Sequence, residues 1–375
     1  MSDGTARPRA RDAGVILGTM EPGPLNAITD VPDVRVGHVT LIEGSGPLER
    51  GRGPIRTGVT AILPHGGNLF REKVPAGLFV LNGFGKCFGQ EQIEEFGAIE
   101  SPIMMTGTMN VGIVADGVAE YMMRHNPDIA VTTSTANALV TECSDAYLND
   151  MQGRHVRQQH VREAIERAAG GPVEEGTIGA GTGMSLYGFK GGIGTASRRL
   201  PDELGGFTVG AMVLGNFGRR DQLMIAGVPV GRALVDWRPP ETMRDTGSCI
   251  VLLATDAPML DRTLRRLARR AALGLARTGS LAGNTSGDFI VAFSNAVRLP
   301  HDSEELMVTL QHVTEGGHLI DALIQASVEA TEEAVINTLF RATTLDGWDD
   351  HVRYALPLDL TLDLLRKAGA LHETP

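Results

Sequence analysis

The order of apolar and polar positions along the chain predicts a protein that combines short strands with longer helices. Runs of apolar and β-branched residues bounded by Gly, Pro or Asp are typical of strands. They occupy residues 26–31, 34–41, 57–64, 207–214, 250–255 and 289–293, and a further strand begins at residue 77. Apolar positions at helical spacing predict helices over residues 113–125, 158–169, 258–277 and 317–342. Two or more strand layers with helices make an α/β or α+β sandwich.

The chain shows no composition break that would mark a linker. Its 375 residues allow one to three domains by length, and without a linker we predict a single domain over residues 1–375. Residues 1 to about 25 are rich in Pro, Gly and Arg. We expect them to form an arm that lies on the surface or on a neighbouring subunit.

Charge and cysteine content narrow the classes of function. The net charge of -11 and the pI near 5.4 exclude nucleic acid as a partner, because phosphate contacts need a basic face. The three cysteines are too few and too scattered for a disulfide framework, which suits a reducing cytosol. No apolar run approaches the ~18 residues of a membrane span, and the N-terminus has no signal-peptide core. We therefore predict a cytoplasmic protein with no membrane partner, acting on a small molecule or peptide.

The common motifs for nucleotides, metals and α/β-hydrolase serines are not met. Residues 179–183 look like a dinucleotide loop, but Met184 stands where the third glycine is required. The histidines lack the HExxH spacing of a zinc site, so no metal is predicted. Residues 183–187 lack the second glycine of G-x-S-x-G.

The Gly247-Ser248 dipeptide within residues 244–249 stands immediately before the apolar run 250–255. If the bond between these two residues were cut, Ser248 would carry both a hydroxyl and a free α-amine. An α-amine has a pKa near ~8, so it can act as the base for its own hydroxyl. Gly247 has no Cβ to obstruct an attack on its carbonyl. A Gly-Ser before a strand is more often an ordinary turn, so spacing alone favours the structural interpretation.

The chain resembles the DmpA-type L-aminopeptidase/D-esterase family, which includes the β-peptidyl aminopeptidases. The segments that carry the resemblance are residues 26–31, 36–38, 57–64, 179–184, 189–198, 225–231, 246–248 and 284–288. The resemblance implies a four-layer αββα sandwich, related to ornithine acetyltransferase and similar to N-terminal-nucleophile hydrolases with a different connectivity. It also implies self-cleavage into chains 1–247 and 248–375, assembly as a homo-tetramer of such αβ units, and no cofactor.

Catalytic residues follow from the same resemblance, position by position. Ser248 matches the nucleophile, with its new amine as base, and Ser286 matches a serine that hydrogen-bonds at the nucleophile. Asp288 stands where relatives carry an acidic residue that orients this pair. Asn216 matches an oxyanion-hole asparagine, whose N–H stabilises the developing charge. On spacing alone, Ser286 and Asn216 are also what turns contain.

The substrate-binding residues are implied less uniformly. Glu142 matches the carboxylate that receives the substrate's free ammonium, as an exopeptidase requires. Ser144 stands where relatives have a tyrosine that contributes to the transition-state site, and Tyr147 is three residues further on. Asn110 lies in another shared stretch ahead of a helix and can either line the pocket or cap the helix.

The sequence therefore predicts a self-processing serine aminopeptidase that forms an acyl-enzyme on Ser248. Its substrates would be short peptides, amides or esters. One alternative is an acyl transferase of the ornithine acetyltransferase kind, although that family uses threonine as nucleophile. Another is a non-catalytic amine-binding protein that keeps the fold and uses Glu142 without chemistry.

Overall fold

A computed structural model describes residues 7–238 and 247–372. Its strands are β1 (Arg35–Glu43), β2 (Ile55–Leu63), β3 (Glu72–Gly83), β4 (Cys87–Phe88), β5 (Ala98–Ile99), β6 (Ile103–Gly107), β7 (Leu139–Cys143), β8 (Ser185–Leu186), β9 (Phe189–Lys190), β10 (Gly192–Arg199), β11 (Thr208–Asn216), β12 (Ser248–Thr255), β13 (Gly287–Ser294), β14 (Leu299–Pro300), β15 (Leu345–Asp346) and β16 (Val352–Arg353). Its α-helices are α1 (Gln90–Phe96), α2 (Val111–His125), α3 (Gln158–Glu166), α4 (Val230–Ala233), α5 (Asp261–Arg277), α6 (His318–Arg341) and α7 (Leu358–Lys367).

Most of these strands belong to two large sheets. The first has the order β1-β2-β6-β7-β4, and the second has the order β10-β11-β12-β13-β3-β14, with β5 also paired to β3. The pairs β6/β7 and β12/β13 are parallel, whereas their neighbours in the sheets are antiparallel. Both sheets are therefore mixed.

The two sheets face each other and carry helices on their outer sides. One apolar cluster joins the inner faces, with side chains such as Met105 from the first sheet and Leu252 from the second. Another lies between the first sheet and helices α2 and α3, and a third lies between the second sheet and helices α5 and α6. This arrangement confirms the predicted αββα sandwich.

Strands β11 and β12 are buried along their whole length. They lie inside the second sheet, covered by the first sheet on one face and by helices on the other, which explains why their sequences are almost continuously apolar. The first residue of β12 is Ser248. Ser248 is therefore held between two neighbouring strands, β11 on one side and β13 on the other.

One prediction about the N-terminal region is wrong, and another holds only in part. Residues 26–31 are not a strand, because Ile28–Asp30 form a 3-10 turn in which the Asp30 carboxylate accepts hydrogen bonds from the N–H groups of Leu25 and Ala27. The arm does not simply lie on the surface either. Ala10 and Leu17 are buried in the core cluster that α6 also joins.

No helix within residues 7–238 and 247–372 is long and apolar enough to cross a membrane.

Candidate active site

Ser248 lies between the ends of two neighbouring strands. In the sheet register it is opposite Asn216 on the antiparallel side and Gly287 on the parallel side. Its side chain is buried, and its Oγ accepts a hydrogen bond of 3.1 Å from the Ser144 N–H. A hydroxyl on the first residue of a central strand is thereby directed at the loop that follows β7. Residues 239–246, which include part of the predicted 244–249 stretch, lie outside the described residues.

Ser286 and Asp288 flank the residue that pairs with Ser248. The Ser286 hydroxyl donates to Asp288 Oδ1 at 2.7 Å. The Gly287 N–H donates to the Gly247 carbonyl at 3.1 Å, and a Cβ added to Gly247 would lie 3.1 Å from Ser286 Oγ. Ser286 therefore lies directly beside the Gly247-Ser248 bond.

Asp288 is a buried carboxyl group with one oxygen still unpaired. Its Oδ2 has no hydrogen-bond partner among the described residues. Burial raises the pKa of Asp288 to about 6, although hydrogen bonds from Ser286 and the Cys249 N–H oppose the shift. The group can thus hold or release a proton close to neutral pH.

Asn216 ends β11, and its side-chain amide is oriented by a contact with Ser185. The Asn216 Oδ1 accepts a hydrogen bond of 2.8 Å from the Ser185 N–H. The Ser185 hydroxyl in turn accepts from Arg353 Nε at 2.9 Å. Because the oxygen is engaged, the NH2 group is the end of this amide that can donate to a ligand.

Glu142 is a buried carboxylate on β7, two residues before Ser144. Its Oε1 accepts a hydrogen bond of 3.0 Å from the Lys86 N–H, and its Oε2 accepts one from the Thr108 hydroxyl. The Lys86 ammonium lies 3.6 Å from Oε1. Sequence reasoning named neither Lys86 nor Thr108, although Thr108 lies in the same motif as Asn110.

The turn at residues 83–86 connects the Ser286 side of the site with Glu142. The Phe84 N–H donates to the Ser286 carbonyl at 3.2 Å, while the Lys86 N–H donates to Glu142. Two residues span at most about 7 Å. A Cβ on Gly85 would come within 3.0 Å of the Gly287 Cα and 3.3 Å of Glu142 Oε1. The nucleophile candidate and the carboxylate therefore belong to one site.

Asn110 is less directly connected to this site. It precedes α2 without a side-chain capping hydrogen bond, so the capping interpretation is wrong. Its Nδ2 lies 3.5 Å from the Thr57 Oγ, and Thr57 donates to Asp145 Oδ2 at 2.5 Å. Asn110 thus belongs to a buried polar cluster with Thr57 and Asp145, the residue that follows Ser144. Sequence reasoning did not single out Asp145.

Tyr147, three residues after Ser144, packs against His351 and Arg353. Its ring stacks on His351 with 4.6 Å between centroids, and the Arg353 guanidinium lies 3.2 Å from its centroid. From the same loop, the main-chain N–H of Ser144 hydrogen-bonds the Ser248 oxygen.

Two cysteines lie near the serine but are unsuited to be nucleophiles. Burial raises the pKa of Cys143 and of Cys249 well above the ordinary value for a thiol, so neither ionises at neutral pH. Among the described residues, no group of three His, Cys, Asp or Glu side chains could hold a metal ion.

The fold and the site together define an αββα hydrolase with a buried serine on a central strand. The chain belongs to peptidase family S58, whose sequence pattern matches residues 26–353. It is therefore a hydrolase of the aminopeptidase class, as the sequence predicted.

Similar proteins cover nearly the whole chain. The β-peptidyl aminopeptidase BapA of Sphingosinicella microcystinivorans is 43% identical over 364 residues, which are 93% of this chain and 90% of that protein. The PH0078 protein of Pyrococcus horikoshii OT3 is 51% identical, with a TM-score of 0.92 over 96% of this chain and 99% of that one. The L-aminopeptidase D-Ala-esterase/amidase of Ochrobactrum anthropi is 40% identical, with a TM-score of 0.90 over 97% and 100%. That enzyme is described as a prototype of the serine aminopeptidases and a variant of the Ntn-hydrolase fold.

Proposed function

We propose that this protein is a self-processing serine aminopeptidase that removes the N-terminal residue from short peptides, amides or esters. One observation carries the proposal. The Ser248 Oγ accepts a hydrogen bond from the Ser144 N–H, and Glu142 lies only two residues earlier in the chain. A nucleophile is thus held next to a buried carboxylate that can bind a free amino terminus.

Maturation begins with the attack of Ser248 Oγ on the Gly247 carbonyl carbon. The bond from this carbon to the Ser248 nitrogen breaks, the hydroxyl proton passes to that nitrogen, and an ester remains. Water then hydrolyses the ester, which leaves a carboxylate on Gly247 and a free amine on Ser248. The Gly287 N–H, 3.1 Å from the Gly247 oxygen, supports this step because it can stabilise the developing negative charge.

Turnover uses the same hydroxyl after the cut. The substrate's ammonium binds Glu142, and the free amine of Ser248 takes the proton from its own hydroxyl as Oγ attacks the substrate carbonyl. The Ser144 N–H and the Asn216 NH2 are the candidate oxyanion donors, and one such donor contributes roughly 3 kcal/mol in comparable sites. The proton then passes to the leaving amine or alcohol, and water hydrolyses the acyl-enzyme.

Ser286 and Asp288 complete the proposed catalytic group. Since the Ser286 hydroxyl donates to Asp288, its oxygen is free to accept from the new amine of Ser248. This contact orients the amine toward Oγ.

The substrate range, the assembly and the location extend the proposal. The similar enzymes are named for β-peptidyl and for L-amino-acid and D-Ala-ester substrates, so we propose small N-terminal residues of these kinds. We also propose that chains 1–247 and 248–375 form one domain, that four such units assemble as a homo-tetramer, and that the protein acts in the cytoplasm without a cofactor. Light scattering coupled to size-exclusion chromatography tests the assembly.

Intact-mass analysis of the purified protein tests the mechanism. We expect two fragments that meet at Gly247-Ser248, and hydrolysis of an aminoacyl anilide. Ser248→Ala should leave one full-length chain without amidase activity. Ser303→Ala is the matched control, because Ser303 lies on an exposed loop and its hydroxyl bonds to the main chain of residue 305. This variant should be cleaved and active. An uncleaved wild-type chain with full activity would contradict the proposal.

The same preparation separates the alternatives. An acyl transferase would consume acetylornithine in preference to the anilide. A non-catalytic binding protein would bind amines as an uncut chain.

A further inference from the structure

Lys86 occupies the position next to Glu142 that the proposed function gives to the substrate's amino group. Its Nζ lies 3.6 Å from Glu142 Oε1. The Lys86 side chain is 56% exposed, whereas the Glu142 side chain is 3% exposed. A half-exposed ammonium therefore caps a carboxylate that is otherwise closed off from solvent.

We propose that Lys86 is an internal substitute for the substrate's ammonium, which neutralises Glu142 in the free enzyme and is displaced when a substrate binds. This inference rests on the proposed role of Glu142 as the ammonium site. It adds a residue that sets how strongly amines compete for that site.

Among the residues that the structure describes, the contacts of Glu142 divide into two that are fixed and one that is displaceable. The Thr108 hydroxyl and the Lys86 main-chain N–H both donate hydrogen bonds to the carboxylate. The Lys86 ammonium, at 3.6 Å, is beyond the 2.7–2.9 Å of a charge-assisted hydrogen bond. Its long side chain can swing into solvent while the main-chain bond stays in place. A ligand ammonium can then take its position at a shorter distance.

A positively charged substitute is favoured by the position of Glu142. A carboxylate that is 3% exposed loses most of its hydration, and a nearby ammonium offsets part of that loss while the site is empty. Gly85 allows the neighbouring Lys86 to approach the carboxylate, because a Cβ on Gly85 would crowd both Gly287 and Glu142.

The substitute also sharpens the selection for free amino termini. A ligand without a positive charge cannot replace Lys86 without leaving Glu142 unpaired. A ligand with a primary ammonium replaces the Lys86 cation by its own, so Glu142 stays paired. N-acylated peptides are therefore disfavoured by the lost ion pair.

Steady-state kinetics of Lys86→Met test the proposal. Competition from a half-exposed ion pair is modest, so KM for an aminoacyl anilide should fall roughly two- to five-fold, as should the inhibition constant of n-propylamine. The change should appear in KM and not in kcat. Lys86→Arg keeps a cation beside Glu142, so its KM and its inhibition constant should fall less than those of Lys86→Met. Lys367→Met, which removes an exposed lysine on α7 that pairs with Asp363, is the matched control and should change neither constant.

Glu142→Gln separates this inference from the function on which it rests. If that variant raises KM while Lys86→Met leaves KM and amine inhibition as in wild type, or raises them, the substitute role is wrong and the ammonium site stands. If Glu142→Gln leaves KM unaltered, the ammonium site itself is wrong. In the double variant, the Lys86 change should have no further effect. Calorimetric binding of n-propylamine gives the same comparison without depending on turnover.

Discussion

At the scale of single residues, the site is notable for carboxyl groups held in places that disfavour their charge. Asp145 directly follows Ser144 and is fully buried, with Oδ2 accepting from Thr57 and Oδ1 without a partner among the described residues. Burial raises the pKa of Asp145 to about 6 against the opposing hydrogen bonds from Thr57 and Asn149. The loop that presents the Ser144 N–H to Ser248 is thus anchored by a group that titrates near neutrality.

This raised pKa predicts a pH-dependent effect of Asp145→Asn. A carboxyl whose pKa rises on folding from 3.8 to about 6 imposes no cost below pH 4, a growing cost between pH 4 and 6, and the full cost above pH 6. At 1.36 kcal/mol per pKa unit, the full cost is on the order of 3 kcal/mol. Relative to wild type, the variant should therefore gain about that much free energy of unfolding between pH 4 and pH 8, measured by urea denaturation.

The exposed Asp350 offers the control for this experiment. Asp350→Asn should follow the wild-type pH profile. A constant difference between Asp145→Asn and wild type at both pH values would contradict the raised pKa.

At the scale of elements, the packing of α6 on β10 depends on a glycine. A Cβ at Gly194 would overlap the carbonyl oxygen of Ala334 and the hydroxyl of Thr338, both on α6. The helix backbone therefore lies directly against the strand. The C-terminal half of α6 is therefore buried around its whole circumference, and the buried residues include Glu329 and Glu333.

Gly194→Ala should consequently lower the free energy of unfolding. The added methyl meets helix backbone, which cannot move as a flexible side chain would, so we expect a loss of about 1–3 kcal/mol. Gly112→Ala is the matched control, because Gly112 lies on the exposed face of α2 with nothing within 4 Å of an added Cβ. That change should stabilise the protein by roughly 0.5–1 kcal/mol. Thermal unfolding of both variants measures the two effects. Equal shifts in Tm for the two variants would contradict the prediction.

At the scale of the whole molecule, a buried ion network joins three distant parts of the chain. Arg198 on β10 pairs with Glu329 at 3.2 Å and with Glu333 at 2.7 Å, and Arg11 of the N-terminal arm pairs with Glu333 at 2.9 Å. Arg198 also donates to the Leu17 carbonyl. The arm and β10 lie before residue 247 and α6 lies after it, so this network would hold the two proposed chains together after cleavage.

Arg198→Met should therefore destabilise the protein and loosen the arm. Removing one partner leaves buried carboxylates with too few cations, a change that costs about 3–5 kcal/mol in comparable networks. The neighbouring Arg199 makes an exposed ion pair with Asp202, so Arg199→Met should cost about 1 kcal/mol or less. Chemical denaturation gives the stability difference, and limited proteolysis reports release of the arm. Similar losses in both variants would show that the buried network is not special.

Most elements of the fold were predictable because they depend on local periodicity. The apolar run after Ser248 became β12, and the helical spacing over residues 113–125 and 317–342 became α2 and α6. The predicted strand at residues 26–31 is wrong because the Asp30 carboxylate accepts hydrogen bonds from nearby main-chain N–H groups. These bonds compete with strand pairing, and an apolar pattern does not reveal them. The surface placement of the arm could not be corrected from sequence, because Arg11 pairs with Glu333 on α6, more than 300 residues away.

By itself, the amino-acid sequence determined the family, the αββα class and the set of residues expected around Ser248. Each of these depends on residue identity in order along the chain. Only the tertiary structure decided that the Ser144 main-chain N–H reaches Ser248, that Asn110 makes no helix cap, and that Lys86 covers Glu142. Such contacts join segments that are distant in sequence or use main-chain atoms common to every residue, so no local pattern encodes them.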